Sequence, residues 1–220
     1  MFRPINMLKN RKESYLTFLF MLISVDVVFI ILDIANRFSG FISHKYLPLN
    51  VDHGYPEIYQ YIKEFWIVIL FFLYFLKHRT GIYFTFTLLF GYLLLDDALL
   101  IHEALGELFT NRFGLQPVFG LRGQDLGELV VFGIIGFVFL SLIVFGYFRS
   151  SDNDRGIVRN LLAMILVMTF FGVAVDMVHR LFHDTSLEWF WAVAEDGGEM
   201  LVMSVILWYV YYFYNRNYLK

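Results

Sequence analysis

The sequence has no cysteine, few charges and no long run of basic residues. Without cysteine, disulfide bonds, thiolate-ligated zinc, iron–sulfur clusters and thiol catalysis are all excluded. The basic cluster Lys9, Arg11 and Lys12 precedes an apolar block, which is typical of a membrane-flanking segment rather than of a nucleic-acid-binding surface. No nucleic-acid partner is therefore expected. The chain also has no glycine pattern for nucleotide binding, so any reductant would come from elsewhere.

Apolar residues are present in excess and occur in blocks. They make up 59% of the 220 residues, and charged residues make up 17%, whereas soluble domains contain about 45–50% and about 25%. A membrane-spanning helix needs about 20 mostly apolar residues. The sequence therefore predicts an all-α, multi-pass integral membrane protein that forms one transmembrane domain over residues 1–220.

Six apolar blocks are interpreted as transmembrane helices. Charged residues separate them, such as Lys77, His78 and Arg79 between the second and third blocks. The expected spans are 15–36, 63–77, 81–106, 126–148, 157–181 and 188–214. Spans three to six are expected to form a four-helix core that encloses a polar site.

Basic residues predict the orientation, because positively charged loops are retained in the cytoplasm. With the N-terminus inside, the larger share of lysine and arginine lies on the cytoplasmic side, including Lys77, Arg79, Arg149 and Arg155. Both termini are therefore expected in the cytoplasm, in what we take to be a bacterial plasma membrane. Most acidic residues then lie toward the extracytoplasmic side.

Acids and histidines interrupt the extracytoplasmic ends of four predicted helices. Charged groups at membrane depth are costly and mark functional sites by default. Spans three and five carry these residues near their C-terminal ends, and spans four and six carry them near their N-terminal ends, so all four sets reach one membrane level. The expected metal ligands are Asp96, His102, Glu103, Glu128, Asp176, His179, Glu195 and Glu199. Asp97, His183 and Asp196 form a second tier.

The excess of carboxylates indicates a bound cation. Carboxylates crowd together in a low dielectric only if some are protonated or if cations neutralise them. The accompanying histidines favour a metal, and carboxylate with imidazole suits iron or manganese, with zinc also possible. The layout resembles the di-iron carboxylate sites of helical bundles, in which two helices supply Glu and two supply Glu-x-x-His. Asp176 and His179 have that spacing, whereas His102 and Glu103 are adjacent.

The favoured hypothesis is a membrane metalloenzyme with a di-metal-like site, acting as an oxidoreductase on a lipidic or hydrophobic substrate. No individual catalytic residue is assigned, and no organic cofactor is expected. Membrane lipids are the expected partners.

Two alternatives stay open. In the first, His102, His179 and His183 hold one zinc and leave a position for water, as in a membrane hydrolase. This accounts for the histidines better than for the acids. In the second, the acids and histidines form a proton or cation pathway, which Asp26 and Asp33 would extend inward along the first span. The cytoplasmic ends of spans three to six are almost purely apolar, which ranks transport last.

Overall fold

Seven helices make up the described parts of the chain, which are residues 4–39, 42–182 and 185–218 of a computed structural model. No strand occurs within those ranges. The helices are α1 Pro4–Phe38, α2 Tyr55–His78, α3 Gly81–Leu99, α4 Ile101–Phe113, α5 Gly123–Phe148, α6 Asp152–Leu181 and α7 Glu188–Tyr218. The prediction of an all-α protein is confirmed.

Five of the helices in the described ranges are long and apolar enough to cross a membrane. They are Glu13–Phe38 of α1, Tyr55–His78, Gly81–Leu99, Gly123–Phe148 and Asp152–Leu181. Only 11% of the most apolar window of α5 is buried inside the protein, and Phe137 on its outer face is 72% exposed. Apolar surface on this scale needs a non-aqueous environment. These helices indicate an integral membrane protein.

The sixth predicted span, 188–214, lies within α7 but is not among the five candidate spans. Its apolar sequence is interrupted by three acids, Glu195, Asp196 and Glu199. Five of the six predicted spans are therefore supported by helices with the required length and composition. The sixth, which carries charge within its first half, stays a prediction.

The second helix begins earlier than the predicted span 63–77. It starts at Tyr55, with Pro56 in its first turn, where proline is favoured because the first backbone N–H groups have no helical partner. Lys63, which the sequence places at the membrane surface, therefore lies two turns inside the helix and is buried.

The third predicted span, 81–106, is divided into two helices at Leu100. Leu100 has a φ of 51°, a left-handed conformation that is unfavourable for a residue with a branched side chain. The backbone N–H of His102, in the first turn of α4, donates to Oδ1 of Asp96 at 2.7 Å. Asp96 thus satisfies one of the free donors at the start of α4.

The apolar core lies at one end of the bundle. Phe71 of α2 stacks on Phe86 and Phe90 of α3, with ring centroids 5.3 and 5.8 Å apart, and contacts Phe213 of α7 at 5.9 Å. We call this cluster, formed by Phe71, Phe86, Phe90 and Phe213, the aromatic end. It occupies the second halves of α2 and α7 and the first half of α3, so the opposite halves of these helices are left to polar side chains.

Candidate metal centre in an acid-lined cavity

A cavity of about 600 Å³ lies between the helix ends opposite the aromatic end. Most of the residues predicted as ligands line it. They are His102, Glu103, Glu128, Asp176, His179, Glu195 and Glu199, with Asp97 and Asp196 of the second tier. Asp96 is not among the lining residues, and His183 lies outside the described residues. We call this space the acid-lined cavity.

The group best placed to hold an ion, which we call the Asp176 group, consists of Asp176, His179 and Glu195. Asp176 and His179 share one face of α6 because they are three residues apart, and Glu195 of α7 faces them. One ligand atom from each side chain lies within 4.8 Å of the others, and Nδ1 of His179 is 2.6 Å from Oε2 of Glu195. Within the described ranges, this is the one group of three or more acids and histidines at that spacing.

The donor set of this group fits a first-row transition metal. It offers two carboxylates and one imidazole, a combination that suits iron, manganese or zinc rather than a soft metal. The contact between Nδ1 of His179 and Oε2 of Glu195 holds the two side chains together and orients the imidazole ring. With three protein ligands, a bound ion would also have coordination positions for water or substrate.

Arg180 joins three of the acids around the cavity. Its guanidinium lies 3.0 Å from Asp176, 3.2 Å from Asp125 and 3.3 Å from Glu128. It therefore links α6 to α5 and fixes the carboxylate of Asp176 from the side. Glu128 also accepts a hydrogen bond from Gln124 at 3.0 Å, and it is not part of the Asp176 group.

A glycine brings α4 against α5 beside Glu128. A Cβ on Gly106 would lie 2.6 Å from Cγ of Glu128, so no larger residue fits while the helices keep this separation. The close contact places His102 and Glu103, at the start of α4, along the same cavity as Glu128.

His102 pairs with Asp96 rather than with the Asp176 group. Its Nδ1 atom is 3.2 Å from Oδ2 of Asp96. Burial disfavours the charged ring, but the carboxylates of Asp96, Glu128 and Glu103 outweigh it and raise the pKa of His102 above its usual value. Asp96 and His102 therefore stabilise the junction of α3 and α4, and neither belongs to the closely spaced ligand group.

The floor of the cavity contains Glu199, which lies against the backbone of α6. A Cβ on Gly172 would overlap Oε1 of Glu199. Gly172 lies in a π-helical turn, Phe170–Val175, within α6, and such turns are frequent at functional sites. The carboxylate of Glu199 thus occupies a position that only glycine on α6 leaves free.

Two buried charged residues next to the cavity, Lys63 and Glu64, were not predicted from the sequence. Both side chains are almost completely inaccessible. The signal that could have located them is Pro56, because a helix that begins there carries positions 63 and 64 into the bundle.

Lys63 lies at the boundary between the polar and the apolar parts of the bundle. Its Nζ atom donates to Oδ1 of Asp26 at 3.1 Å, to the carbonyl of Met200 at 2.7 Å and to Oγ of Ser204 at 3.3 Å. Asp33, the next acid along α1, is paired with Arg37 at 2.9 Å instead. Asp26 and Asp33 therefore have separate partners.

The chain belongs to the family described as Domain of unknown function (DUF8692), whose sequence profile matches residues 60–214. This range runs from α2 to α7 and contains every residue predicted to be a ligand. Neither a curated protein nor a solved structure shows a significant match to the chain.

Proposed function

We propose that this protein is an integral membrane metalloprotein that binds an iron or manganese ion through Asp176, His179 and Glu195. The observation that carries the proposal is that ligand atoms of these three side chains, from two facing helices, lie within 4.8 Å of one another. They do so at the wall of a cavity large enough for a small molecule.

The reaction class that fits this arrangement is oxidoreduction of a lipidic or hydrophobic substrate. Iron or manganese at such a site supplies redox chemistry and a Lewis acid. The cavity has apolar walls as well as acids, contributed by Leu129, Phe132, Met177 and Met200. A substrate with an apolar chain would bind along these side chains and place its polar end near Asp176. Arg180 keeps the carboxylate of Asp176 in position during binding.

The membrane topology that we propose has α7 as a sixth span. Its second half contributes Met203, Ile206 and Val210 to the buried core, which supports a position inside the bundle rather than on the membrane surface. Both termini then lie in the cytoplasm and the acid-lined cavity faces the extracytoplasmic side of a bacterial plasma membrane.

Single cysteine substitutions test this orientation directly, since the chain has no cysteine of its own. An impermeant thiol reagent should label Gln116→Cys in intact cells, and it should label Asn153→Cys only after the cells are permeabilised. Labelling of Asn153→Cys in intact cells would contradict the orientation.

Elemental analysis of the purified protein tests the metal proposal. We expect iron or manganese in the wild-type protein and loss of the ion from His179→Ala, because this substitution removes one of three ligands. His44→Ala is the matched control, since His44 is exposed and does not line the cavity. Equal metal content in His179→Ala and wild type would reject the assignment. A metal-free wild-type protein that conducts protons in liposomes would favour a transporter instead.

A further inference from the structure

Glu64 is a buried acid that has no role in the metal site proposed at the Asp176 group. Its side chain is 1% exposed, and its Oε2 atom has no hydrogen-bond partner among the described residues. A carboxylate oxygen that is buried without a hydrogen-bond partner is costly. Such a group is therefore retained where a proton or a cation neutralises it.

Two further carboxyl groups lie near Glu64. Asp97 of α3 is in hydrogen-bonding contact with it, and the charge of Glu199 of α7 acts on it. Asp97 and Glu199 both line the cavity. Three helices thus direct carboxyl groups to one region, where like charges cannot all remain ionised without a counterion.

Lys63 does not supply that counterion by direct contact. Although it precedes Glu64 in the chain and its charge acts on Glu64, its three N–H bonds are used by Asp26, Met200 and Ser204. Successive residues of a helix point about 100° apart, so Lys63 and Glu64 face different groups. The group formed by Glu64, Asp97 and Glu199, which we call the Glu64 group, therefore needs a shared proton or a cation from the cavity for its neutralisation.

The Glu64 group lies one helical turn deeper than the Asp176 group. Glu199 follows Glu195 by four residues on α7, and Gly172 precedes Asp176 by four residues on α6. Four residues correspond to about 6 Å along a helix. The two groups therefore form two layers of the same cavity.

We propose that Glu64, Asp97 and Glu199 form a second cation site, with oxygen ligands only, at the cavity floor. Carboxylates without histidine favour hard divalent cations such as Mg²⁺, Ca²⁺ or Mn²⁺. The oxygens of this group are spaced more widely than those of the Asp176 group, since they do not meet the 4.8 Å spacing. A cation that keeps part of its water shell fits this spacing, as Mg²⁺ commonly does. The site does not require an ion at the Asp176 group.

Titration with Mn²⁺ alone tests this site, using the full chain in lipid nanodiscs after metal removal and electron paramagnetic resonance to count bound ions. We expect two Mn²⁺ per wild-type chain, with signals broadened by their proximity. Glu64→Gln should keep one ion, because the amide preserves the shape but removes the charge, and its signal should be sharp. Glu107→Gln is the control, since Glu107 is exposed and does not line the cavity, and it should keep both.

A second variant separates this proposal from the Asp176 assignment. His179→Ala should lose the ion at the Asp176 group and keep the one at Glu64, and the double variant should bind none. Two ions in Glu64→Gln would overturn the second site, and so would a single wild-type ion that His179→Ala abolishes. A single wild-type ion lost only in Glu64→Gln would support the second site and reject the Asp176 centre. Thermal unfolding confirms that each variant is folded.

Discussion

The two ends of the bundle are built from the same helices but differ in chemistry. At the aromatic end, α2, α3 and α7 meet through stacked rings, and Phe71 and Phe86 are fully buried. At the acid-lined cavity, the same helices present Glu64, Asp97 and Glu199 to one another. Burial of aromatic rings stabilises a fold, whereas burial of like charges opposes it. The comparison indicates that the aromatic end carries the stability that lets the other end hold its charges.

The largest expected effect is at the aromatic end. Phe71→Ala should destabilise the protein by about 3–5 kcal/mol, because it removes a fully buried ring from the centre of a stack. Thermal unfolding in detergent measures this. Phe137→Ala is the control, since that ring is exposed on α5 and its loss should cost about 0.5 kcal/mol or less. Equal losses would show that the aromatic end has no special role in stability.

The stability of the protein should also depend on the charge of Lys63, which lies between the two ends of the bundle. Lys63→Met should cost about 3 kcal/mol, because it leaves Asp26 buried without its cation. The double variant Lys63→Met with Asp26→Asn removes both charges and should recover most of the lost stability. Unfolding temperatures of the two variants provide the comparison. A double variant as unstable as the single one would mean that packing, not charge, accounts for the loss.

The smallest expected effect on stability is in the cavity itself. Gly172→Ala should change the free energy of unfolding by about 1 kcal/mol or less, because the better helix propensity of alanine offsets the displacement of a flexible carboxylate. It should nevertheless remove Mn²⁺ from the Glu64 site, since the new Cβ takes the position of Glu199 Oε1. Gly133→Ala on α5 is the control, because nothing lies near its Cβ. Unchanged Mn²⁺ binding in Gly172→Ala would show that Glu199 is not needed there.

Local sequence was enough to predict an all-α fold with several long apolar helices. The reason is that long apolar runs specify membrane helices without reference to distant residues. Glu195 and Glu199 stand out because they interrupt such a run one turn apart. His179 and Asp176 could likewise be paired from their spacing alone.

The residues that each acid or arginine contacts could not be predicted in the same way. Asp96 was expected to bind metal, but it satisfies a backbone donor of α4 and contacts His102. This use of Asp96 depends on the break at Leu100, a residue with no turn-forming tendency of its own. Arg180 contacts acids from two helices, an arrangement that appears only once α5 and α6 are packed together.

By itself, the sequence determined that the chain is helical, that most of its helices suit a membrane, and that acids concentrate at one end of them. These properties follow from composition and periodicity along each helix. Tertiary structure alone decided which acids share a centre, because distances between Asp176 and Glu195, or between Glu64 and Asp97, depend on how α6 packs on α7 and α2 on α3. Contacts between helices are set by shape and close approach at positions such as Gly172, which no single helix encodes.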